Sequence, residues 1–292
     1  MIGLSIITPT YNRARLIRRC FESLLRQSCK DFEWIIVDDG STDNTQDVIS
    51  EFCTDAFHIT KIAQENGGKH TALNAAHPYV HGKYVLILDS DDYLTDTAVE
   101  EVLKAWERYE KEDYIGILTF LRGKAYGNPI CTVEDYGTPV DILRYRRQSH
   151  YGSDCCEVVR TKLFLQYPFP VYEGERFVSE CALWNRIGLR YKCVYINSIV
   201  YICEYLDGGL TKSGRCMRIK NPRGGMYTSN LRTNKKNFVG QRIKYGILYT
   251  CYGFFANYGV GKQIKEADCH VLTGMCCPIG FLLYLRWKKR YL

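Results

Sequence analysis

The sequence lacks the cysteine spacing of a zinc site or of a disulfide framework, although it contains 14 cysteines. No cysteines have the C-x-x-C spacing, and the only close pairs are the neighbours Cys155–Cys156 and Cys276–Cys277. Zinc sites and disulfide-rich folds need more regular spacing. The chain also begins on an apolar strand pattern rather than on a signal peptide. We therefore expect reduced cysteines that pack in the core of a cytoplasmic protein.

The sequence also lacks the signatures of nucleophilic catalysis. No serine lies in a G-x-S-x-G elbow, and none of the six histidines has an obvious metal or triad partner in the sequence. His70 and His77 lie near the polar clusters described below, and we expect structural roles for both. A mechanism with a covalent nucleophile is therefore not indicated.

Acidic residues are nearly absent from the C-terminal part of the chain. Residues 208–292 contain 2 of the 32 acids and 16 of the 39 bases, a net charge of +14, whereas residues 1–207 carry −7. This asymmetry indicates an anionic partner, and a purely solubilising basic surface is the alternative. No nucleic-acid recognition motif is present, so we expect no nucleic-acid partner. Within this part, the Gly-, Ser-, Asn- and base-rich stretch 207–237 predicts a mobile loop.

The apolar stretch near the C-terminus is too short to span a membrane. Val271–Leu285 contains fifteen residues and is interrupted by Pro278, whereas a spanning helix needs roughly 20 apolar residues. The next segment, Arg286–Tyr291, is rich in basic and aromatic residues. This combination is typical of a segment that lies in the interface of an anionic membrane.

Short apolar runs alternate with helical patterns over the first ninety residues. The runs Leu4–Thr8, Trp34–Val37, His58–Ala63 and Tyr84–Leu88 have the length and composition of strands. Amphipathic segments between them predict helices, the first with Asn12 as its N-cap. The alternation predicts an α/β fold with a doubly wound, mostly parallel sheet.

Each of these runs is followed by a polar cluster. The clusters are Pro9–Asn12, Asp38–Ser41, Asn66–Lys69 and Asp89–Asp92. Because the carboxyl ends of parallel strands meet at one edge of a sheet, the four clusters are expected to form a binding crevice.

The fourth cluster contains three carboxylates, Asp89, Asp91 and Asp92. Two acids one residue apart at the end of a buried strand can hold a hard divalent cation, whose other ligands are water and phosphate oxygens. A turn whose aspartates cap the next helix is the alternative. The setting in the crevice favours the cation site.

These segments resemble the family 2 inverting glycosyltransferases with the GT-A fold. SIITPTYNR, DFEWIIVDDGSTDNT, ENGGKHTALNAA and VLILDSDD carry the resemblance and cover residues 4–92 almost continuously. YEGERFVSECALWNRIG at 172–188 and EYLDGGLT at 204–211 are similar to segments of transferases that build bacterial surface polysaccharides. The resemblance implies a nucleotide-sugar-binding catalytic domain over residues 1–210. Residues 211–292 are expected to form a basic loop and helical region that associates with the membrane.

The resemblance also implies an activity. The expected enzyme is metal-dependent and transfers a sugar, with inversion, from a UDP-sugar to a hydroxyl of a glycan acceptor. Mn²⁺ or Mg²⁺ is the expected cofactor, and the acceptor is expected on undecaprenyl diphosphate. The protein is then peripheral on the inner, cytoplasmic face of the cell membrane. Two roles stay open for the basic C-terminal region, a lid over the donor diphosphate or attachment to the membrane.

Residues of all four clusters are expected to bind the nucleotide. Tyr11 can lay its ring against a base, unless it is a core tyrosine. By resemblance, Asp39 accepts the imide N–H of uracil, while Asp38 positions the turn. Lys69 can approach the base or the diphosphate, unless it is a solvated surface lysine. The expected nucleotide-binding residues are Thr8, Pro9, Tyr11, Asp39, Lys69 and Asp89.

The resemblance assigns the cation to the D-x-D pair. Asp91 is the expected direct ligand, and Asp89 is expected to contact the ribose, or the ion through water. The role of Asp92 stays open, so all three carboxylates are candidate metal ligands.

Inversion requires a carboxylate that removes the proton from the acceptor hydroxyl. By resemblance, Glu180 occupies the place of the catalytic acid. Cys181 follows it where the family usually has a second acid, and Glu173 and Glu175 are the alternatives. Trp184 either forms the floor of the acceptor site or packs in a helix.

Two other functions share part of this pattern. A sugar nucleotidyltransferase would need a Gly-rich, basic phosphate loop after the first strand, where this chain has TPTYNR. A non-enzymatic sensor or scaffold at the membrane would be expected to have lost some of the acids, and all three are present. The enzyme is therefore the favoured interpretation.

Overall fold

The chain forms two compact units, one of Met1–Pro168 with Arg190–Tyr205 and one of Phe169–Leu189 with Leu206–Leu292. The functional boundary placed at residue 210 stays a prediction. Residues 204–209 of the EYLDGGLT segment lie outside the described residues. The computed structural model describes residues 2–124, 128–133, 136–148, 155–203 and 210–292.

A single mixed sheet forms the centre of the first unit. Its strands are β1 (Leu4–Thr10), β2 (Phe32–Asp38), β3 (His58–Ala63), β4 (Tyr84–Ile87), β5 (Tyr93–Leu94), β6 (Ile115–Gly123), β7 (Pro139–Val140), β8 (Cys156–Arg160) and β9 (Lys192–Ile202). Their order is β3-β2-β1-β4-β8-β6-β9-β5, with β7 beside β9. The first four strands are mutually parallel, as are β6 and β9, while β8 runs antiparallel between β4 and β6. The predicted α/β fold with a mostly parallel sheet is confirmed.

Helices connect these strands and make up most of the second unit. The first unit contains α1 (Ile17–Leu25), α2 (Thr45–Ser50), α3 (Lys69–Ala75), a 3-10 turn (His77–Tyr79), α4 (Ala98–Tyr109), α5 (Ile142–Gln148) and α6 (Thr161–Gln166). The second contains α7 (Cys181–Gly188), α8 (Leu210–Lys220), α9 (Pro222–Leu231), α10 (Val239–Phe255), α11 (Val260–Glu266) and α12 (His270–Tyr291).

The register of the parallel strands brings their carboxyl ends to one edge of the sheet. Thr10 of β1 pairs with Asp38 of β2, and Asp38 pairs with Ala63 of β3. Ile7 of β1 pairs with Ile87 of β4, the last residue of that strand. The four predicted polar clusters therefore follow neighbouring strands at the same edge, as expected.

An aromatic cluster anchors β2 beneath this edge. The Trp34 ring stacks on Phe21 and Phe52, with both centroid distances 5.7 Å, and it is fully buried. Its indole N–H donates to the Thr8 hydroxyl at 2.8 Å, which ties β2 to β1. Truncation of such a buried aromatic side chain costs about 3–5 kcal/mol. The positions of the loops after β1 and β2 thus rest on a rigid base.

The predicted N-cap at Asn12 is wrong. Asn12 has a left-handed φ of 53°, and α1 begins five residues later, at Ile17. Its amide oxygen accepts the backbone N–H of Thr42 at 2.8 Å, and its own N–H donates to the Ser41 hydroxyl at 2.9 Å. Asn12 therefore joins the loop after β1 to the loop after β2, rather than capping a helix.

The loop predicted over residues 207–237 is wrong for most of its length, because α8 and α9 occupy 210–220 and 222–231. The carboxylate of Glu175 accepts the N–H groups of Arg223 at 2.8 Å and of Gly224 at 2.9 Å. These are N–H groups that the first turn of a helix leaves unpaired. A side chain from outside the helix therefore stabilises its start.

The C-terminal apolar stretch belongs to one continuous helix, α12, which passes through Pro278. One side of α12 packs on α10, where a Cβ added at Gly280 would meet the Thr250 hydroxyl at 1.9 Å. Only glycine permits this approach of the two helices. Of the helices in the described residues, none has both the length and the apolar character needed to cross a membrane.

Candidate active site

Three carboxylates lie in a tight turn directly after β4. The N–H of Asp92 donates to the carbonyl of Asp89 at 3.0 Å, which closes the turn. The Tyr201 hydroxyl donates to Asp92 Oδ2 at 2.8 Å and accepts the backbone N–H of Asp89 at 2.9 Å. The side chains of Asp89 and Asp91 are partly open to solvent, whereas that of Asp92 is buried. The structure thus brings together the three residues predicted to bind the cation.

Two basic side chains lie beside Asp89 and Asp92, the two inner carboxylates of this turn. Lys69, the first residue of α3, donates from Nζ to Asp89 Oδ1. Arg122 Nη1 lies 3.7 Å from Asp89 Oδ2 and 3.9 Å from Asp92 Oδ2. Lys69 therefore contacts the carboxylate turn, so the alternative of a solvated surface lysine does not hold.

The two inner carboxylates differ in pKa. Burial raises the pKa of Asp89, but the charges of Lys69 and Arg122 outweigh burial and hold that pKa below its usual value. Burial, and then the neighbouring charge of Asp89, raise the pKa of Asp92 to about 7. Near neutral pH the Asp92 carboxyl is thus partly protonated, and Asp89 carries the full charge.

Asp91 is more open than Asp92 and has a weaker ion pair than Asp89. Its side chain is 30% exposed, and Arg13 Nε lies 3.4 Å from its Oδ2. Its backbone carbonyl accepts Arg19 Nη2 at 2.6 Å, which fixes the main chain. In the described part of the chain no group of three or more His, Cys, Asp or Glu forms a ready cation cage. An open carboxylate oxygen at such a turn nevertheless fits Mg²⁺ or Mn²⁺, which bind one or two carboxylates besides water and phosphate oxygens.

Asp39, the residue predicted to read the base, is buried at the end of β2. Its carboxylate accepts the N–H groups of Gly67 and Gly68, each at 2.8 Å, and Gln64 Nε2 at 2.7 Å. Gly68 has a φ of 94°, a conformation that favours glycine. Asn66 Nδ2 adds a fourth, longer contact at 3.3 Å. These four donors occupy the acceptor positions of the two carboxylate oxygens. An imide N–H can therefore bind Asp39 only if one of the four donors moves away.

Asp38 positions the turn, as predicted. Its Oδ1 accepts the backbone N–H of Ser41 at 3.2 Å and the Ser41 hydroxyl. Its other oxygen, Oδ2, is buried and has no hydrogen-bond partner among the described residues. The turn after β2 therefore has one buried acceptor atom, Asp38 Oδ2, next to Asp39 in the chain.

Of the nucleotide-binding residues predicted in and just after β1, one is exposed and two are buried. Tyr11 is 42% exposed, so the alternative of a core tyrosine does not hold. Thr8 and Pro9 are buried, and the Thr8 hydroxyl accepts the Trp34 indole. The structure brings the ring of Tyr11 to the surface but keeps the Thr8 hydroxyl in the core.

The two histidines near the clusters lie in packed surroundings. His70 is buried at the start of α3, and the half-buried ring of His77 meets Phe164 edge-on at 4.6 Å. Burial lowers the pKa of His77, so this ring is neutral near pH 7. Both positions agree with the predicted structural roles.

In the second unit, Glu180 lies immediately before α7 and is partly buried. Glu175 is buried. Its carboxylate accepts the N–H groups at the start of α9 and forms an ion pair with Arg223 Nε at 3.1 Å. Glu173 is exposed. Trp184 is 3% exposed, which favours packing over a role as a floor for the acceptor. Of the three candidate bases, Glu175 is thus committed to a structural contact.

Sequence reasoning missed three residues that contact the carboxylate turn, Arg13, Arg122 and Tyr201. Arg13 belongs to the SIITPTYNR segment, so its place beside the clusters was a usable signal. Arg122 and Tyr201 lie on β6 and β9, which carry no polar cluster. Their contribution depends on the topology of the sheet.

Comparison with known proteins agrees with this geometry. The model of the family described as Glycosyl transferase family 2 matches residues 5–167, more than half of the chain. A chondroitin synthase of Pasteurella multocida is 45% identical over 101 residues, which cover 35% of this chain and 10% of that protein. The chain therefore spans only a small part of that relative.

Two solved structures share the fold over nearly the whole chain. S. aureus TarS 1-349 in complex with UDP has a TM-score of 0.64 at 14% identity, covering 98% of this chain and 91% of that one. The mannosyltransferase PcManGT from Pyrobaculum calidifontis, in complex with GDP-Man and Mn²⁺, has a TM-score of 0.58 at 16% identity, covering 99% and 82%. The predicted GT-A fold is confirmed.

Proposed function

This chain belongs to glycosyl transferase family 2 and is a glycosyltransferase, and from that premise we propose that its donor is a UDP-sugar. The sugar is transferred with inversion to a hydroxyl of a glycan acceptor on undecaprenyl diphosphate, in the synthesis of a cell-surface polysaccharide. The observation that carries the proposal is the carboxylate turn Asp89–Asp92 beside Lys69 and Arg13, at the carboxyl edge of the parallel strands. The relatives named above, with their UDP and polysaccharide chemistry, support it.

The donor nucleotide is assigned to the edge formed by β1, β2 and α3. Tyr11 has the exposed ring needed to stack on a base. The Asp39 carboxylate accepts the imide N–H in place of one of its present donors, such as Gln64 Nε2. Lys69 and Arg13 supply positive charge toward the diphosphate, and Asp89 accepts from the ribose. Thr8 and Pro9 contribute through the backbone, since both are buried.

The divalent cation, Mn²⁺ or Mg²⁺, would be held by Asp91, with Asp89 and Asp92 as its neighbours. Once bound, such an ion neutralises the charge that grows on the leaving diphosphate, which contributes several kcal/mol in the transition state. The bound Mn²⁺ of PcManGT supports this assignment. Lys69 and Arg122 keep the inner carboxylates compensated when the ion is absent.

Glu180 is the proposed general base. In the reaction the bond from C1 of the sugar to the diphosphate breaks, and a bond from C1 to the acceptor oxygen forms on the opposite face. The acceptor proton passes to the Glu180 carboxylate, and UDP leaves. Glu175 is engaged with the start of α9, which argues against it as the base.

A donor screen tests the proposal. The purified chain is incubated with single UDP-sugars, Mn²⁺ and an undecaprenyl-diphosphate-sugar analogue, and released UDP and elongated lipid are both measured. We expect one UDP-sugar to give both products. Diphosphate release from UTP and a sugar 1-phosphate would instead indicate a nucleotidyltransferase. Tight UDP-sugar binding without either product would indicate a sensor.

Replacing Asp39 with asparagine is expected to weaken UDP binding about tenfold or more, since a hydrogen bond to a charged group contributes about 1.5–3 kcal/mol. Calorimetric titration with UDP and with CDP measures the change, and Asp47→Asn on the exposed side of α2 is the control. Because only uracil offers an imide N–H, the preference for UDP over CDP should fall. An equal loss for both nucleotides would mean that Asp39 only fixes the 64–68 loop.

The membrane association proposed for the second unit rests on the outer side of α12. Val271, Met275, Ile279, Leu282 and Leu285 lie three or four residues apart and are exposed. The opposite side of the helix is packed, with Thr273, Cys276, Cys277, Gly280 and Trp287 buried. One helix therefore has an inner side that packs and an outer apolar stripe.

Basic residues continue this stripe at the end of α12. Arg286, Lys289 and Arg290 are exposed, in a part of the chain that carries +14. Near an anionic leaflet each basic side chain contributes about 1 kcal/mol. An apolar stripe that ends in cations suits a helix lying in the plane of the inner leaflet, where a lipid-linked acceptor is available.

Changing Val271, Met275 and Leu282 together to glutamine is expected to lower liposome binding at least about tenfold, because three large apolar side chains no longer enter the interface. Glutamine keeps the helix propensity high. Sedimentation with phosphatidylglycerol vesicles at low salt measures the bound fraction, which should also fall for the wild type as salt rises. The matched control changes three exposed apolar residues of the first unit, Tyr79, Tyr114 and Leu165, to glutamine. Equal losses in both triple variants, or none in either, would contradict the proposal.

A further inference from the structure

Two residues lie behind the carboxylate turn, on strands that are far apart in the sequence but adjacent in the sheet. Arg122 of β6 and Tyr201 of β9 are register partners in the parallel ladder that joins those strands. The Arg122 guanidinium lies over the Tyr201 ring at 4.0 Å from its centroid. The Arg122 side chain is 13% exposed, and Tyr201 is fully buried. They form a compact pair that faces the turn from the sheet.

The pair contacts both inner carboxylate residues. The Tyr201 hydroxyl has one hydrogen to donate and lone pairs to accept, and it uses both, toward Asp92 Oδ2 and from the N–H of Asp89. Arg122 lies within 4 Å of an oxygen of each carboxylate. Each partner therefore joins the first and the last carboxylate of the turn.

The turn needs such support, because three carboxylates within four residues repel one another. At 4 Å, two like charges near a protein surface repel by about 4 kcal/mol, and the repulsion grows as water is excluded. Arg122, together with Lys69 on Asp89, offsets this repulsion, and the two hydrogen bonds of the Tyr201 hydroxyl hold the two ends of the turn together. An open turn would also move Asp91, which lies between them in the chain.

We propose that Arg122 and Tyr201 are positioning residues that hold the Asp89–Asp92 turn in the shape that binds the metal and the donor diphosphate. Neither is assigned a contact with the donor or the ion. The inference rests on the proposed function, since it assigns to that same turn a supporting layer of residues. Side chains that orient metal ligands typically contribute 10–100-fold to metal affinity.

The test measures Mn²⁺ binding rather than turnover alone. Tyr201→Phe keeps the ring beneath Arg122 but removes the hydroxyl, and Arg122→Gln removes the charge. We expect each variant to bind Mn²⁺ about 10–100-fold more weakly in the presence of UDP, as measured by the paramagnetic signal of free Mn²⁺. Arg122→Lys keeps the charge without the planar group, so its Mn²⁺ affinity should lie between those of Arg122→Gln and the wild type. The kcat should fall in the same order.

Arg160→Lys provides the matched control for lost stability. Arg160 is also a buried arginine over an aromatic ring, 4.9 Å from the centroid of Trp106, and pairs with Tyr84 at the opposite end of β4. The Arg160→Lys variant should have a lower melting temperature and an unchanged Mn²⁺ affinity.

Two outcomes overturn the inference, and they are distinguishable. If the wild type binds Mn²⁺ with UDP and Tyr201→Phe and Arg122→Gln bind it equally well, the pair is only structural and the proposed function survives. If the wild type itself binds no Mn²⁺ in the presence of UDP, the metal assignment fails, and the positioning role fails with it.

Discussion

Replacing Asp91 with alanine is expected to lower sugar transfer by at least about 10³-fold. The ion that Asp91 would hold contributes several kcal/mol to the transition state, and each 1.36 kcal/mol corresponds to tenfold in rate. The fold should survive, because the Asp91 side chain is partly exposed and its carbonyl, which the variant keeps, makes the contact with Arg19. UDP release and elongated lipid are the measurements, with circular dichroism as the check on folding.

The control for this change is Asp96→Ala, which removes an exposed aspartate paired with Arg26 a few residues further along the chain. It should transfer sugar at the wild-type rate. Treatment of the wild type with EDTA should abolish transfer, and Mn²⁺ or Mg²⁺ should restore it. Full turnover in excess chelator would remove the metal from the mechanism. An active Asp91→Ala enzyme that still needs the metal would assign the ion to Asp89 or Asp92 instead.

The sheet was predictable from the sequence where strand signals are local. His58–Ala63 has the predicted bounds, and the runs at Leu4, Trp34 and Tyr84 all form strands. Each is a short apolar run ended by polar residues, which fixes both its type and its end. The convergence of the four clusters followed from parallel pairing alone.

The helices at 210–231 were not predictable in the same way. Gly224 and Gly225 lower the helix propensity of α9 by about 1 kcal/mol each, so composition indicated a loop. The helix forms because Met226 is buried in the apolar core of the second unit, which also contains Tyr252, and because Glu175 satisfies its first turn. Both contacts are tertiary, although Pro222 at the first helical position was a local signal.

Within the site, the sequence indicated the side chains that follow strands but not those that support them. Asp89, Asp91 and Lys69 follow apolar runs and were identified from that position. Arg122 and Tyr201 reach the turn only because β6 and β9 pair with the register seen here, and no local pattern encodes a register between strands so far apart in the sequence. A supporting layer of this kind requires the structure.

The second large effect is expected at Glu180. Replacing it with glutamine should lower kcat by about 10²–10⁴-fold, the loss typical of a missing general base. Glutamine has nearly the same shape but cannot take the acceptor proton. UDP binding should remain at the wild-type level, because the nucleotide is assigned to β1, β2 and α3. Titration with UDP, and single-turnover transfer to the lipid-linked acceptor, measure the two effects separately.

The other two glutamates discriminate between a base and a structural carboxylate. Glu175→Gln should lower the melting temperature, because its carboxylate caps α9 and pairs with Arg223, and transfer by the remaining folded enzyme should change little. Glu173→Gln changes an exposed side chain, so neither quantity should move. Normal turnover by Glu180→Gln, with a large loss in Glu173→Gln or Glu175→Gln, would assign the base to that residue instead. A base at Glu175 would have to leave the start of α9 in each catalytic cycle, and its loss would then appear in kcat as well as in stability.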